Sequence, residues 1–307
     1  MLFARSLVTL VFLLTCSLLF GQTRLLSDPA ISDSHLAFAY AGDLWVADRD
    51  GGNVRRLTIG EGDEYGPVFS PDGQTVAFTG AYDGNVDVYT VPTIGGIPER
   101  LTWHPYDDEV QGFTPEGDRV LFTSQRNVFT NRFNRLFTIG LNGGQVEQLA
   151  IPTAFSGAYS ADGRYVAYSP NYDASGMWKG YRGGTVSRIW IFDTTDNSVT
   201  EIPKPESGSN DMHPQWHDGK VYFRSDRDGE YNLYFYDPGT EEVEALTSFD
   251  DFPVFGPQAG PDGIVFEQAG YLHHLNYATG ETQQLDVTVN ADILDVRPRY
   301  VSGPEHV

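Results

Sequence analysis

Residues 65–79 read Tyr65-Gly66-Pro67-Val68-Phe69-Ser70-Pro71-Asp72-Gly73-Gln74-Thr75-Val76-Ala77-Phe78-Thr79: a short apolar run, a Ser-Pro-Asp-Gly turn, and a run in which apolar and small residues alternate. Period-two alternation marks a strand, and Asp-Gly pairs suit the positive φ angles of tight hairpins. After Tyr82-Asp83-Gly84-Asn85, residues 86–91 alternate again, and 97–102 follow the Gly95-Gly96 pair. One stretch therefore holds four strands joined by turns.

The unit repeats. Acidic–Gly turns recur at Asp72-Gly73, Glu116-Gly117, Asp162-Gly163, Asp218-Gly219 and Asp262-Gly263, with spacings of 44, 46, 56 and 44 residues. Gly-Gly pairs recur at Gly51-Gly52, Gly95-Gly96 and Gly143-Gly144. Periods in the forties with four strands each are the mark of propeller blades. Six units can be cut, near 29–58, 65–102, 108–150, 155–203, 210–248 and 251–288. After the N-terminal segment no 3.6-residue periodicity persists, so almost no helix is expected. The expected fold is all-β, a six-bladed β-propeller of four-stranded antiparallel blades over 23–289. The first and sixth units each hold four strands, so closure need not borrow one from the far terminus.

Phe69, Phe113, Tyr159 and Trp216 end the first strand of their units, the strand nearest the axis, and are expected to pack between blades. Gly66-Pro67, Gly112, Gly157, Pro214 and Gly256-Pro257 suit an axis where side chains must be small. The fourth unit carries an insertion over 170–188, rich in Gly, Tyr and Trp, expected to form a long loop on one face.

Composition bounds the function. Hydrophobic residues at 40% and aromatics at 13% support a packed core and argue against disorder. A net charge of -22 repels phosphate backbones and argues against nucleic acid as a partner. Residues 1–22 read as a secretory signal peptide: Arg5 precedes an apolar run from 7 to 20 that is short for a membrane span. The expected location is periplasmic or secreted, with no stable membrane span once the signal is removed. Cys16, the only cysteine, follows Thr15 where a lipoprotein needs a small residue, so a lipid anchor is disfavoured. Residues 290–307 read as a linker or the start of a next domain.

Catalytic machinery is not evident. There is no Gly-x-Ser-x-Gly elbow, and nothing nominates a Ser/His/Asp constellation. His213 and His217 flank Pro214 in a strand-and-turn setting, and adjacent His273 and His274 point to opposite sides of a strand, so no metal site is assigned. Asp48-Arg49-Asp50-Gly51 and Asp226-Arg227-Asp228-Gly229 lack the downstream glutamate of a calcium loop. No cofactor is expected. A propeller hydrolase would need acidic or histidine side chains converging from the inner strands, which offer mostly Gly, Pro, Gln and aromatics. Basic residues gather once, at Arg126, Arg132 and Arg135 around the connection 125–134. Beside scattered surface arginines, the sharper reading is a fork-like grip on a peptide carboxylate.

A family resemblance enters here. Trp178-Lys179-Gly180-Tyr181-Arg182-Gly183-Gly184-Thr185 with Arg188-Ile189-Trp190-Ile191 resembles the fourth-blade insertion of tricorn-type proteases. Val221-Tyr222-Phe223-Arg224-Ser225-Asp226-Arg227-Asp228-Gly229, and Gly42-Asp43-Leu44-Trp45-Val46 with Arg55-Arg56-Leu57-Thr58, are similar to that family's fifth and first blades. The resemblance covers 24–300 and implies the N-terminal propeller of a serine peptidase that trims oligopeptides, without its catalytic region. It further implies a channel for peptides, with basic residues of the third blade holding the peptide C-terminus, a role that would fall on Arg126, Arg132 and Arg135. Two non-catalytic readings follow: a peptide-guiding module of an exported peptidase, partnered by downstream protease domains, or a free-standing periplasmic interaction propeller similar to TolB. A homo-oligomer is a further arrangement the sequence leaves open.

Overall fold

The computed structural model describes residues 22–128, 130, 132–173 and 178–291. These contain 24 strands in six four-stranded antiparallel sheets and no helix. Each sheet takes its strands in chain order, so every blade is a meander of local hairpins. The inner strands are Ser27–Ile31, Glu64–Phe69, Asp108–Phe113, Ser156–Tyr159, Asp211–His217 and Phe255–Ala259. Each inner strand contacts the next, and the first contacts the last, which closes a ring. The outermost strand of blade 2, expected over 97–102, is only Glu99–Arg100, and that of blade 1 is Arg55–Arg56.

No blade has a core of its own. Buried residues fall into six clusters, each shared by two adjacent blades. Between blades 2 and 3, for example, Ala77 and Val88 pack on Phe122 and Phe137. A sheet apolar on both faces gains this burial only from neighbours on both sides. The seam between blades 6 and 1 keeps each sheet intact. It is closed by residues 22–26: Thr23 N donates to Val287 O at 3.2 Å, and Leu25 N donates to Gly270 O at 2.9 Å.

The ring has two unlike faces. In blades 2 and 4 the turn after the inner strand is an Asx turn, in which Asp72 accepts from Ser70 Oγ at 2.6 Å and Gln74 N at 3.0 Å. Asp162 does the same with Ser160 and Arg164. The opposite face carries the long loops, including the blade 4 insertion. That insertion lies on blade 5: Lys179 pairs with Glu230 at 2.5 Å, Arg182 with Asp226 at 2.8 Å, and Asn210 Nδ2 donates to Tyr181 O at 2.8 Å.

The expectation of a crowded axis needs correction. A Cβ on Gly112 would meet nothing within 4 Å, and on Gly66 only Thr79 Oγ1 at 3.9 Å; Gly157, against Leu136 at 2.7 Å, is crowded. What most of these positions share is a β-bulge. Register shifts in the inner strands of five blades. In four of them the bulge residue has positive φ and precedes proline: Asp28 (49°), Gly66 (59°), His213 (54°) and Gly256 (50°). Proline is tolerated there because a bulge leaves a backbone N–H out of the ladder.

Candidate functional site

The bulges aim side chains into the axis. At the loop-face end the inner strands enclose a cavity of about 280 Å³, to which all six blades contribute. Its polar lining includes Asp28, Tyr65, Glu109, His213 and Gln258. Acidic and histidine side chains thus do converge from the inner strands, contrary to the reading of the sequence. A first unit that begins near residue 29 leaves Asp28 outside it. A signal was present: Asp28-Pro29 and His213-Pro214 occupy the places of Gly66-Pro67 and Gly256-Pro257. At these two bulges a side chain stands where sister repeats use glycine, in a backbone region less favourable for L-residues.

Burial sets the electrostatics of this end. It pushes the Asp28 carboxyl above its ordinary range, against the pull of the Gly66 amide and of His213. It also raises Glu109, helped by Asp107 and opposed by a hydrogen bond from Tyr65. Glu267, whose Oε1 accepts from Asp28 N at 2.8 Å, is pushed up to about 7, chiefly by burial. The insertion adds Asp173, 3.4 Å from His213 Nε2 and 3.7 Å from the buried guanidinium of Arg224. Ser156 also lines the cavity, and among the described residues no hydrogen bond joins it to His213.

At the turn-face end the same strands present Phe69, Phe113, Tyr159 and Trp216 around the mouth of the axis. Each also packs at the edge of an inter-blade cluster.

The three arginines lie elsewhere; none lines the axial cavity. Arg126 is largely buried, ion-paired with the buried carboxylate of Asp108, and donates to Ser124 Oγ at 3.1 Å. Its guanidinium lies over Phe122 and Phe137 at 5.1 and 5.4 Å. Blade 5 repeats the device: Arg227 pairs with Asp211 at 3.2 Å, donates to Ser225, and lies over Phe223 and Tyr234. The recurrence of Ser-x-Arg at Ser124 and Ser225 was the sequence signal for this framework role. Arg135 Nε donates to Pro152 O at 3.1 Å. Arg132 is exposed and has no partner among the described residues.

Among the described residues no group of three or more His, Cys, Asp or Glu could hold a metal ion, and no helix is long and apolar enough to cross a membrane. His217 stacks on Tyr277 at 4.0 Å, away from His213. His273 is buried against Phe266, while His274 faces Asp262.

Fold and site define a six-bladed propeller with a chemically two-ended axis. The family profile described as "Tricorn protease N-terminal beta propeller domain" matches residues 23–281, and the chain belongs to that family. Tricorn protease homolog 1 of Streptomyces coelicolor is 30% identical over 273 residues, covering 87% of this chain and 25% of that protein. The crystal structure of the tricorn protease superimposes with TM-score 0.78 at 22% identity, over 88% of this chain and 27% of that one. A putative TolB from Agrobacterium tumefaciens gives TM-score 0.54 at 18% identity, over 86% and 82% of the two chains. The last two likenesses bear on the fold alone. The chain spans about a quarter of the length of the first curated relatives it matches.

Proposed function

We propose that this propeller is the leading, non-catalytic module of an exported tricorn-like serine peptidase, and that peptides travel along its axis. The supporting observation is the axis itself, polar and acidic at the loop face and aromatic at the turn face. An extended peptide meets hydrogen-bonding partners for its backbone at one end and ring surfaces for its side chains at the other. Export follows from the signal-like residues 1–22, of which 1–21 lie outside the described residues. The linker reading of 290–307 falls outside them from 292 onward. A grip on the peptide carboxylate falls to Arg132 and Arg135, because Arg126 is held by Asp108.

Gln258 lines both halves of the axis. In the intact gene product from source cells, Gln258→Trp is expected to slow oligopeptide hydrolysis severalfold while a single-residue chromogenic amide is cleaved as before. Unchanged oligopeptide hydrolysis would sink the axial path. Arg132→Ala is expected to weaken binding of free-carboxylate peptides and leave amidated ones unaffected; equal binding of both by the unmutated protein refutes the grip.

A second reading, a free-standing TolB-like interaction propeller, is favoured by one feature. Ile59, Ile94, Ile97 and Trp103 are largely exposed around the edge of blade 2. The mass of the native product separates the two: well above that of 307 residues favours the peptidase, slightly below it favours the free-standing form.

A further inference from the structure

On the turn face, between blades 4 and 5, lies a cleft of about 500 Å³. Its walls are mostly rings. Tyr165 and Trp216 stack with centroids 6.1 Å apart and planes 23° from parallel, and Tyr236, His217, Ile191 and Pro238 line the cleft with them. Ser160, Ala161 and Trp216 belong both to the cleft and to the mouth of the axis, so the two are contiguous.

The charge of the lining is one-sided. Asp162, Asp218 and Glu241 contribute carboxylates, and no Lys or Arg lines the cleft. Asp162 is engaged in its own turn. Asp218 and Glu241 are exposed at the rim, and neither carboxylate has a hydrogen bond or ion pair among the described residues. The nearby cations are already held: Arg164 pairs with Asp193 at 2.8 Å and lies over the Tyr165 ring at 4.8 Å, which leaves Trp216 as the open ring face, and Lys220 pairs with Asp237 at 3.5 Å. Burial holds the His217 imidazole below its usual value, so the ring does not add a positive charge at neutral pH.

Aromatic faces with carboxylates at the rim suit a cation with an alkyl stem, which gains cation–π attraction and ring contact together. An anion is repelled, and an apolar side chain leaves the rim carboxylates unused. We propose that this cleft is a subsite for a lysine or arginine side chain of a peptide at the turn-face mouth. The inference rests on the reading of the axis as a peptide path, since the cleft adjoins that path.

The test is calorimetric titration of the purified chain with acetyl-Ala-Lys-Ala-amide and with the same peptide carrying norleucine for lysine. The lysyl peptide is expected to bind about tenfold tighter, in keeping with the worth of a cation–π contact reinforced by charge. The double variant Asp218→Asn, Glu241→Gln should abolish that preference. Asp218 already sits at φ 45°, a region asparagine tolerates, so the substitution spares the turn. Equal affinity for the two peptides, no binding of the lysyl peptide, or an undiminished preference in the double variant would each overturn the subsite. Failure of the axial path shows separately, in Gln258→Trp, a position outside the cleft.

Discussion

At the loop-face end of the axis the inner strands present Asp28, Tyr65, Glu109 and His213; a few residues later, at the turn face, they present Phe69, Phe113, Tyr159 and Trp216. The aromatic residues serve two neighbours at once, lining the mouth and wedging between blades. The polar residues have no such packing duty, and two of them sit at bulges where glycine would be relaxed. Stability therefore concentrates at one end of each strand, and adjustable chemistry at the other.

The contrast can be broken at the aromatic end first. Trp216→Ala removes a ring stacked on Tyr165 and should cost about 3 kcal/mol in urea unfolding, the usual range for truncating a large aromatic. A loss below about 1 kcal/mol would mean the ring contributes to the mouth alone.

At the polar end, pH is the sharper probe. Glu267 has its pKa raised from 4.5 to about 7. The folded state thus binds a proton that the unfolded state releases, and this contribution to stability is complete below about 4.5 and lost as pH rises through about 7. Glu267→Gln should flatten that slope and stabilise the protein by about 2 kcal/mol at pH 8, read from thermal melts across pH 5–8. An unchanged slope would place the buried proton elsewhere.

The smallest effect concerns strain. Asp28→Gly relaxes a left-handed bulge at φ 49° and should leave stability within about 1 kcal/mol of the parent, or raise it. Peptide binding at the axis should weaken in the same variant. A clear destabilisation would show that the Asp28 carboxylate is structural, and the two ends of the axis would then differ less than described.

The fold was legible because turns are local: Asp-Gly and Gly-Gly pairs at regular spacing need no tertiary information. The absence of helix among the described residues and the self-contained first and sixth blades followed from the same pattern. Strand lengths at the blade edges were less legible, since the strand expected over 97–102 pairs only at Glu99–Arg100 and leaves Ile97 exposed. The axial groups were missed because Asp28, Glu109 and His213 come from three blades, and their meeting is a product of ring closure. Arg126 was misleading for the opposite reason. Its partner Asp108 is 18 positions away, and only the parallel with Arg227 and Asp211 shows the pair to be a repeated internal brace.

The seam between blades 6 and 1 sets the order in which the molecule can assemble. Every sheet is built from consecutive hairpins, so nearly all pairing is short in sequence, and such contacts form early. The bonds of Thr23 and Leu25 to Val287 and Gly270 join opposite ends of the described chain and carry the largest loop-closure entropy. Blades emerging from synthesis can therefore stack one after another, leaving the last inter-blade layer exposed until blade 6 arrives. The open arc of five blades, with its two unpaired apolar faces, is the species most prone to aggregation on the folding route.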